Sequence, residues 1–401
     1  MKFILTIVLL LFSITHYQIC FASGYSQKKG KGNIIRVPSD FSSIAQAVTN
    51  AKNDDYIVIA PGIYNESEIS IDKRIVITSE WKLDDDKSKI EKTIIDAGNK
   101  NIFIIKADGV EISGLKIING DHPLDINAIV TVRNNYFVDN KDAISFEGSG
   151  GGYAGYNTIE NDKDDGIDLD IRKGGGHVGS DIIVEYNKIF SSNDDGIEIR
   201  LYEYPNQNIK YEIRNNIITG SKNAGIQLIS YDIFTGKEFN IHHNIIESCK
   251  VGLGCMEGTN TKENTNGASN LDELVYFYNN TLSDNQVGAT GGNTIFAMNN
   301  VVLHNKLGGF KRFGKKSVVA NNLFFQNGNN NLLELSEHAI FRSNLLEVEP
   351  GLNGGSFVPL AGSPCIDAGE KYLNVNNKRV LKISGALFNG KKPDLGAVEF
   401  K

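Results

Sequence analysis

The chain has 401 residues, of which 40% are hydrophobic and 22% charged, with a formal net charge of -7. That apolar fraction supports a large core and excludes a disordered chain. An acidic chain without a long basic run is a poor partner for nucleic acid, and the 41 Gly and 8 Pro show no collagen-like period.

Met1-Lys2 is a short basic start, followed by an apolar run from Phe3 to about Thr15 and small residues near Ala22. The pattern predicts a secretory signal over 1–22 and a short linker over 23–33. No later segment approaches the roughly 18 consecutive apolar residues of a membrane span. The mature chain is therefore expected to be a monomer in the secreted, periplasmic or cell-surface space. Three cysteines remain: Cys249, Cys255 and Cys365. An odd number is no disulfide framework. Cys249 and Cys255 read equally well as a pair or as two buried thiols.

Ile35-Arg36-Val37-Pro38 and Ser43-Ile44-Ala45-Gln46-Ala47-Val48 precede the first longer apolar run, and Ile44, Ala47 and Val48 form a narrow apolar stripe. From residue 134 onward one phrase recurs: an Asn followed by two or three apolar residues. Its last Asn is Asn135, Asn157, Asn187, Asn216, Asn244, Asn280, Asn300, Asn322 and Asn344 in turn, at spacings of 20 to 36 residues. A second phrase follows it, as in Gly166-Ile167-Asp168-Leu169 and Gly196-Ile197-Glu198-Ile199. Its alternation is that of a strand. Repeats of this length built from short strands predict a solenoid, in which the Asn amides stack from coil to coil as a ladder.

These Asn-apolar and Gly-Ile-x-apolar phrases resemble the right-handed parallel β-helix superfamily, the fold of pectate lyases and their relatives. Those upstream segments, followed by Asp55-Tyr56-Ile57-Val58-Ile59-Ala60-Pro61-Gly62, resemble the N-terminal start of such proteins, which implies a strand, a capping helix with Ser39 or Asp40 as its cap, then the first coil. Ser363-Pro364-Cys365-Ile366-Asp367 and Pro393-Asp394-Leu395-Gly396 resemble their terminal segment. The resemblance implies an all-β, right-handed parallel β-helix solenoid with an N-terminal capping helix. Coils then fill 34–349 and a C-terminal capping segment fills 350–401. The superfamily hosts lyases, hydrolases, epimerases and inert proteins.

Aligning the second phrase on its small residue gives the outward columns. One reads Ser145, Asp168, Glu198, Gln227 and Gly254; the next reads Glu147, Asp170, Arg200, Ile229 and Met256. Beside them the turns stack Asp142, Asp165 and Asp195, with Asp164 and Asp194 adjacent. Carboxylates on coils about 4.8 Å apart repel unless a proton, an arginine or a cation offsets them. Asp164, Asp165, Asp194 and Asp195 then form a Ca2+ site, or a solvated acidic turn in which Asp-Gly makes a good bend.

Gly174-Gly175-Gly176-His177 is a Gly-rich excursion beside Arg172 and Lys173. Tyr202 and Tyr231 read as a sugar-stacking platform or as ordinary stacking between coils. The resemblance implies a lyase or epimerase on an acidic, uronate-containing polysaccharide. Arg200, Lys173, His177, Asp168 and Glu198 are then the catalytic candidates, with Arg172, Tyr202, Tyr231, Gln227 and Asp170 contacting substrate. The alternatives are a glycoside hydrolase using paired Asp and Glu, and a non-catalytic glycan-binding protein.

Overall fold

The computed structural model describes residues 32–171, 181–202, 209–231, 234–257, 271–328 and 330–401. Gly32–Lys401 forms one unit. Its strands fall into three parallel sheets of 13, 12 and 11 strands, visited in rotation, so each circuit of the chain contributes one strand to each. This is a right-handed parallel β-helix. Each rung pairs in register with the next, as Ile167↔Ile197, Asp168↔Glu198 and Leu169↔Ile199 illustrate. Alternate side chains fill the lumen, and Ile144, Ile167, Leu169, Ile197, Ile199, Ile226 and Leu228 have no exposed surface. Burial of this continuous apolar column is the main stabilising term.

The asparagine ladder forms as the repeat predicts. From Asn157 onward, Oδ1 of each member accepts from the backbone N–H and side-chain amide of the Asn on the preceding rung. Asn135 donates in this way to Asn157 at 3.0 and 3.2 Å. The amide nitrogen of Asn157 also reaches the Val132 carbonyl at 3.1 Å, tying this turn to the 13-stranded sheet. The left-handed backbone sits one residue earlier than the ladder, at Asn134, Asn215, Asn279, Asn299 and Asn321. Tyr156 and Tyr186 occupy the same conformation and stack their rings 4.8 Å apart. A second ladder, at the next turn, did not stand out in the sequence. There Asn285 donates to Asn305 at 3.0 Å and Asn305 to Asn327 at 2.7 Å.

The small residue of the second phrase has a steric cause. A Cβ on Gly196 would lie 2.5 Å from Ile218 Cγ2 and 2.7 Å from the Gly225 carbonyl on the next rung.

Helix Ile44–Asn50 lies at the N-terminal end with Ile44, Ala47 and Val48 buried. Its cap is Ser43, not Ser39 or Asp40; Ser43 Oγ accepts from Gln46 N at 3.2 Å. Asp40 instead accepts from the Arg36 backbone, which closes the turn before the helix. Glu66 adds a carboxylate at the helix start, accepting from Ile44 N and Ala45 N.

The last 52 residues contribute a hairpin, Tyr372–Val375 with Lys378–Lys382. Leu373, Leu381 and Ile383 cluster with Tyr278, Met298, Val318 and Ala320 of the 13-stranded sheet. Cys365 and Leu395 pack on Val301, Leu303 and Leu323 of the 12-stranded sheet. Cys249, Cys255 and Cys365 are buried thiols with no disulfide. Among the described residues no helix is long and apolar enough to cross a membrane.

Candidate functional site

The candidate residues lie on the 11-stranded sheet. Strands Ile144–Gly148, Ile167–Ile171, Ile197–Leu201, Ala224–Ser230 and Val251–Glu257 are consecutive rungs of it. The register brings Ser145, Asp168, Glu198, Gln227 and Gly254 into one column, as the alignment predicted. Glu147 pairs with Asp170, and Arg200 with Ile229, in the column beside it. Both columns point away from the lumen, yet Asp168, Asp170 and Glu198 are each at most 4% exposed.

Arg200 is held between two of these carboxylates. Its guanidinium lies 3.1 Å from Asp170 Oδ2 and 2.6 Å from Glu198 Oε1. Burial works against its charge, but Glu198, Asp170 and Asp168 push its pKa above the ordinary value. Arg200 is therefore a fixed cation, suited to neutralising charge rather than taking a proton.

Burial pushes Glu198 up to about 8, against Arg200 and with Asp195 and Asp170 adding to the shift. Asp168 is raised well above the ordinary range by burial and then by Asp170 and Glu198. Among the described residues its buried Oδ1 has no hydrogen-bond partner, and neither amide atom of Gln227 has one.

The aspartate turns form a hydrogen-bonded stack. Asp142 accepts from Asp165 N at 2.9 Å, Asp165 from Asp195 N at 2.8 Å, and Asp195 from Ala224 N at 2.6 Å. Each of these carboxylates thus spends one oxygen on the rung above. Burial raises Asp165 well above the ordinary range, and Glu198, Asp195 and Asp168 add to it.

Three groups of carboxylates each bring ligand oxygens within 4.8 Å of one another: Asp142 with Asp164 and Asp165, Asp165 with Asp195 and Glu198, and Glu147 with Asp168 and Asp170. A set made only of carboxylate oxygens fits a hard cation such as Ca2+; the Asp168 oxygen belongs to the third group, with Glu147 and Asp170. Asp164, Asp165 and Asp195 join such groups. Among the described residues Asp194 joins no such group; it accepts from the Asn223 side chain.

Tyr202 and Tyr231 stack on each other, with ring centroids 4.7 Å apart and planes inclined by 17°. Each ring thereby gives one face to its neighbour. Arg172, Lys173 and His177 lie outside the described residues.

The sequence reading missed two basic side chains at the edge of the acidic turn. Lys141 Nζ stands 3.5 Å from Asp142 and 3.8 Å from Asp164. His122 Nδ1 is 3.4 Å from Asp142, and its Nε2 is 3.3 Å from Lys141 Nζ. Burial opposes the charge on Lys141, but Asp142, Asp164 and Asp121 raise its pKa. The order Lys141-Asp142, repeated as Lys163-Asp164, was a signal for the lysine. His122 sits in no repeated phrase and left none.

A family model described as right-handed beta helix region matches residues 82–235. Among solved structures, the catalytic unit of a thermostable GH87 alpha-1,3-glucanase from Streptomyces thermodiastaticus strain HF3-3 is similar at a TM-score of 0.51 and 12% identity. The match covers 76% of this chain and 66% of the glucanase unit, just under two thirds of its length. A PL6 alginate lyase in complex with trisaccharide gives a TM-score of 0.49 at 12% identity, covering 93% and 94% of the two chains. Pectate lyase Pel9A gives 0.44 at 15% identity, covering 94% and 98%. No curated protein matches in sequence. At these identities the likeness is one of fold. Three parallel sheets, the asparagine ladder and the matched repeat region agree: this chain has the right-handed parallel β-helix fold.

Proposed function

We propose that this chain is a secreted polysaccharide-acting protein, a lyase that cleaves uronate-containing glycan on the outer face of the 11-stranded sheet. The observation that carries the reading is the buried column of Asp168 and Glu198 with Arg200 fixed beside it. A groove that runs along the rungs suits an extended polymer, and the named neighbours in fold include an alginate lyase and a pectate lyase.

Elimination from a uronate removes the proton next to the sugar carboxylate, which requires that carboxylate to be neutralised. Arg200 supplies fixed positive charge at this face. Asp142, Asp164, Asp165, Asp195 and Glu198 are the residues that would hold Ca2+, whose contribution when bound is further neutralisation of the substrate carboxylate. Proton abstraction falls to a basic side chain at the edge of the site. His122 stands there, and Lys173 and His177 are the candidates from the sequence; Lys141, whose charge Asp142 and Asp164 favour, is a fixed cation like Arg200.

A second reading, glycoside hydrolysis, is favoured by one observation. With a pKa near 8, Glu198 keeps its proton at neutral pH and can act as a general acid, with Asp168 on the adjacent rung as its partner. Product chemistry separates the two. Elimination leaves an unsaturated uronate that absorbs in the ultraviolet, whereas hydrolysis yields new reducing ends without that absorbance. Purified chain incubated with alginate, polygalacturonate and neutral glucans, with and without chelator, is expected to produce the absorbing product from a uronate polymer.

A further inference from the structure

The C-terminal segment carries charge opposite to that of the chain as a whole, which has 48 Asp and Glu against 41 Lys and Arg. Residues 371–393 hold Lys371, Lys378, Arg379, Lys382, Lys391 and Lys392 and no acidic side chain. Within them strands Tyr372–Val375 and Lys378–Lys382 pair antiparallel across Asn376-Asn377, both at positive φ as a two-residue hairpin turn requires. Leu373 lies opposite Leu381, and both are buried against the 13-stranded sheet. Tyr372 opposite Lys382, and Asn374 opposite Arg379, therefore face outward. The register shifts between Leu373 and Asn374, which brings Arg379 rather than Val380 to that outer face. There the Arg379 guanidinium lies over the Tyr372 ring, 4.1 Å from its centroid. Among the described residues Lys378, Arg379, Lys382 and Lys391 have no carboxylate partner, whereas Lys392 pairs with Glu370 at 2.8 Å. Exposed apolar side chains border these cations. Arg342 donates to the Asn374 carbonyl and so ties the last strand of the 13-stranded sheet to the hairpin. Ile340 and Phe341 beside it are each 38% exposed, and Tyr372 is 41% exposed.

We propose that this hairpin face docks on an anionic lipid surface. Lys378, Arg379 and Lys382 meet the headgroup phosphates, and Tyr372, Ile340 and Phe341 lie at the boundary between headgroups and acyl chains. Cations gathered on one face and bordered by aromatic and aliphatic side chains suit a surface that sets phosphate charge over hydrocarbon. A soluble polyanion would use the lysines and the arginine but not Ile340 and Phe341. The carboxylate columns lie on the 11-stranded sheet and the hairpin packs on the 13-stranded sheet, so docking does not press the acidic face against anionic lipid. Docking of this kind is independent of the reaction at the acidic face.

Co-sedimentation with vesicles tests this, using the chain from residue 23, which retains the whole Gly32–Lys401 unit. One vesicle is phosphatidylglycerol and phosphatidylcholine in equal parts, and the other is phosphatidylcholine alone. The chain is expected to bind the mixed vesicles and not the neutral ones, and to be released as salt rises. Lys378→Gln with Arg379→Gln and Lys382→Gln is expected to weaken binding by about a hundredfold, roughly fivefold per charge, with the circular dichroism spectrum unchanged. Ile340→Gln is expected to weaken it by about threefold while leaving the salt dependence intact. No binding to the mixed vesicles, equal binding to the neutral ones, or unchanged affinity in the triple variant overturns the docking. Inorganic tripolyphosphate is expected to bind the chain more weakly than the mixed vesicles do; tighter binding, with Ile340→Gln without effect, overturns the lipid surface in favour of a soluble polyanion.

Discussion

Asp168 and Glu198 face one another across adjacent rungs, and their environment decides their protonation. Glu198→Gln and Asp168→Asn each keep the shape of the side chain while removing its acid chemistry. Either is expected to lower turnover by roughly 10²–10⁴-fold with the circular dichroism spectrum unchanged. Their pKa values also set a pH dependence of stability. Glu198 titrates near its ordinary 4.5 when unfolded and near 8 when folded. Between those values the native state holds a proton that the unfolded state releases, so stability falls as pH rises through this window and levels off above it. Asp165 and Asp168 are raised in the same direction. Thermal melts should drop from pH 5 to pH 8, and Glu198→Gln should make that slope shallower; a melting temperature that rises across this range contradicts the assignment. The alternation in Gly-Ile-x-apolar made both acids legible as outward-facing residues. Their burial was not legible, because it depends on what packs over the outer face rather than on the strand that carries them. Lys141 and His122 come together with Asp142 only through rung stacking, which a single phrase does not encode.

At the scale of the turn, the ladder asparagines replace the backbone pairing that a sharp bend gives up. Asn216 accepts from Asn187 N at 3.0 Å and donates to Asn244 Oδ1 at 3.0 Å and to the Val184 carbonyl at 2.9 Å. Asn216→Ala leaves several of these buried groups unpaired and should cost roughly 3 kcal/mol in denaturant unfolding. Asn215→Ala, at the left-handed position beside it, should cost about 1 kcal/mol. Equal effects at the two positions would contradict the division of labour between them. The first ladder was legible because Asn recurs next to an apolar triplet. The second was not, because Asn140, Asp162, Ser192, Ser221 and Cys249 share its position without sharing a residue type. The three sheets also begin several rungs upstream of Asn134, where Leu115 stands at the ladder position and carries no such mark. The helix cap was misplaced for a local reason: Ser39, Asp40, Ser42 and Ser43 all suit a cap by type, and the turn at Pro38 selects the last of them.

Across the Gly32–Lys401 unit the three outer faces differ in use. The C-terminal segment packs along the 13- and 12-stranded sheets, while the 11-stranded sheet carries the carboxylate columns. Asp142, Asp164, Asp165, Asp168, Asp170, Asp195 and Glu198 gather on adjacent rungs of this face. A cation held there should stabilise the native state most where the carboxylates ionise. Ca2+ at about a hundredfold excess over its dissociation constant adds roughly 2.7 kcal/mol. Melts at pH 8 should therefore shift upward with Ca2+ and back with chelator, and Asp165→Asn should lose the shift, since Asp165 belongs to two of the three carboxylate groups. Elimination from uronate glycan at this face is read from the ultraviolet absorbance of the product, followed for the unmutated chain and Glu198→Gln on alginate and polygalacturonate. An unsaturated product should accumulate with the unmutated chain and be lost with the variant. New reducing ends without that absorbance, or equal rates for the two proteins, would contradict it.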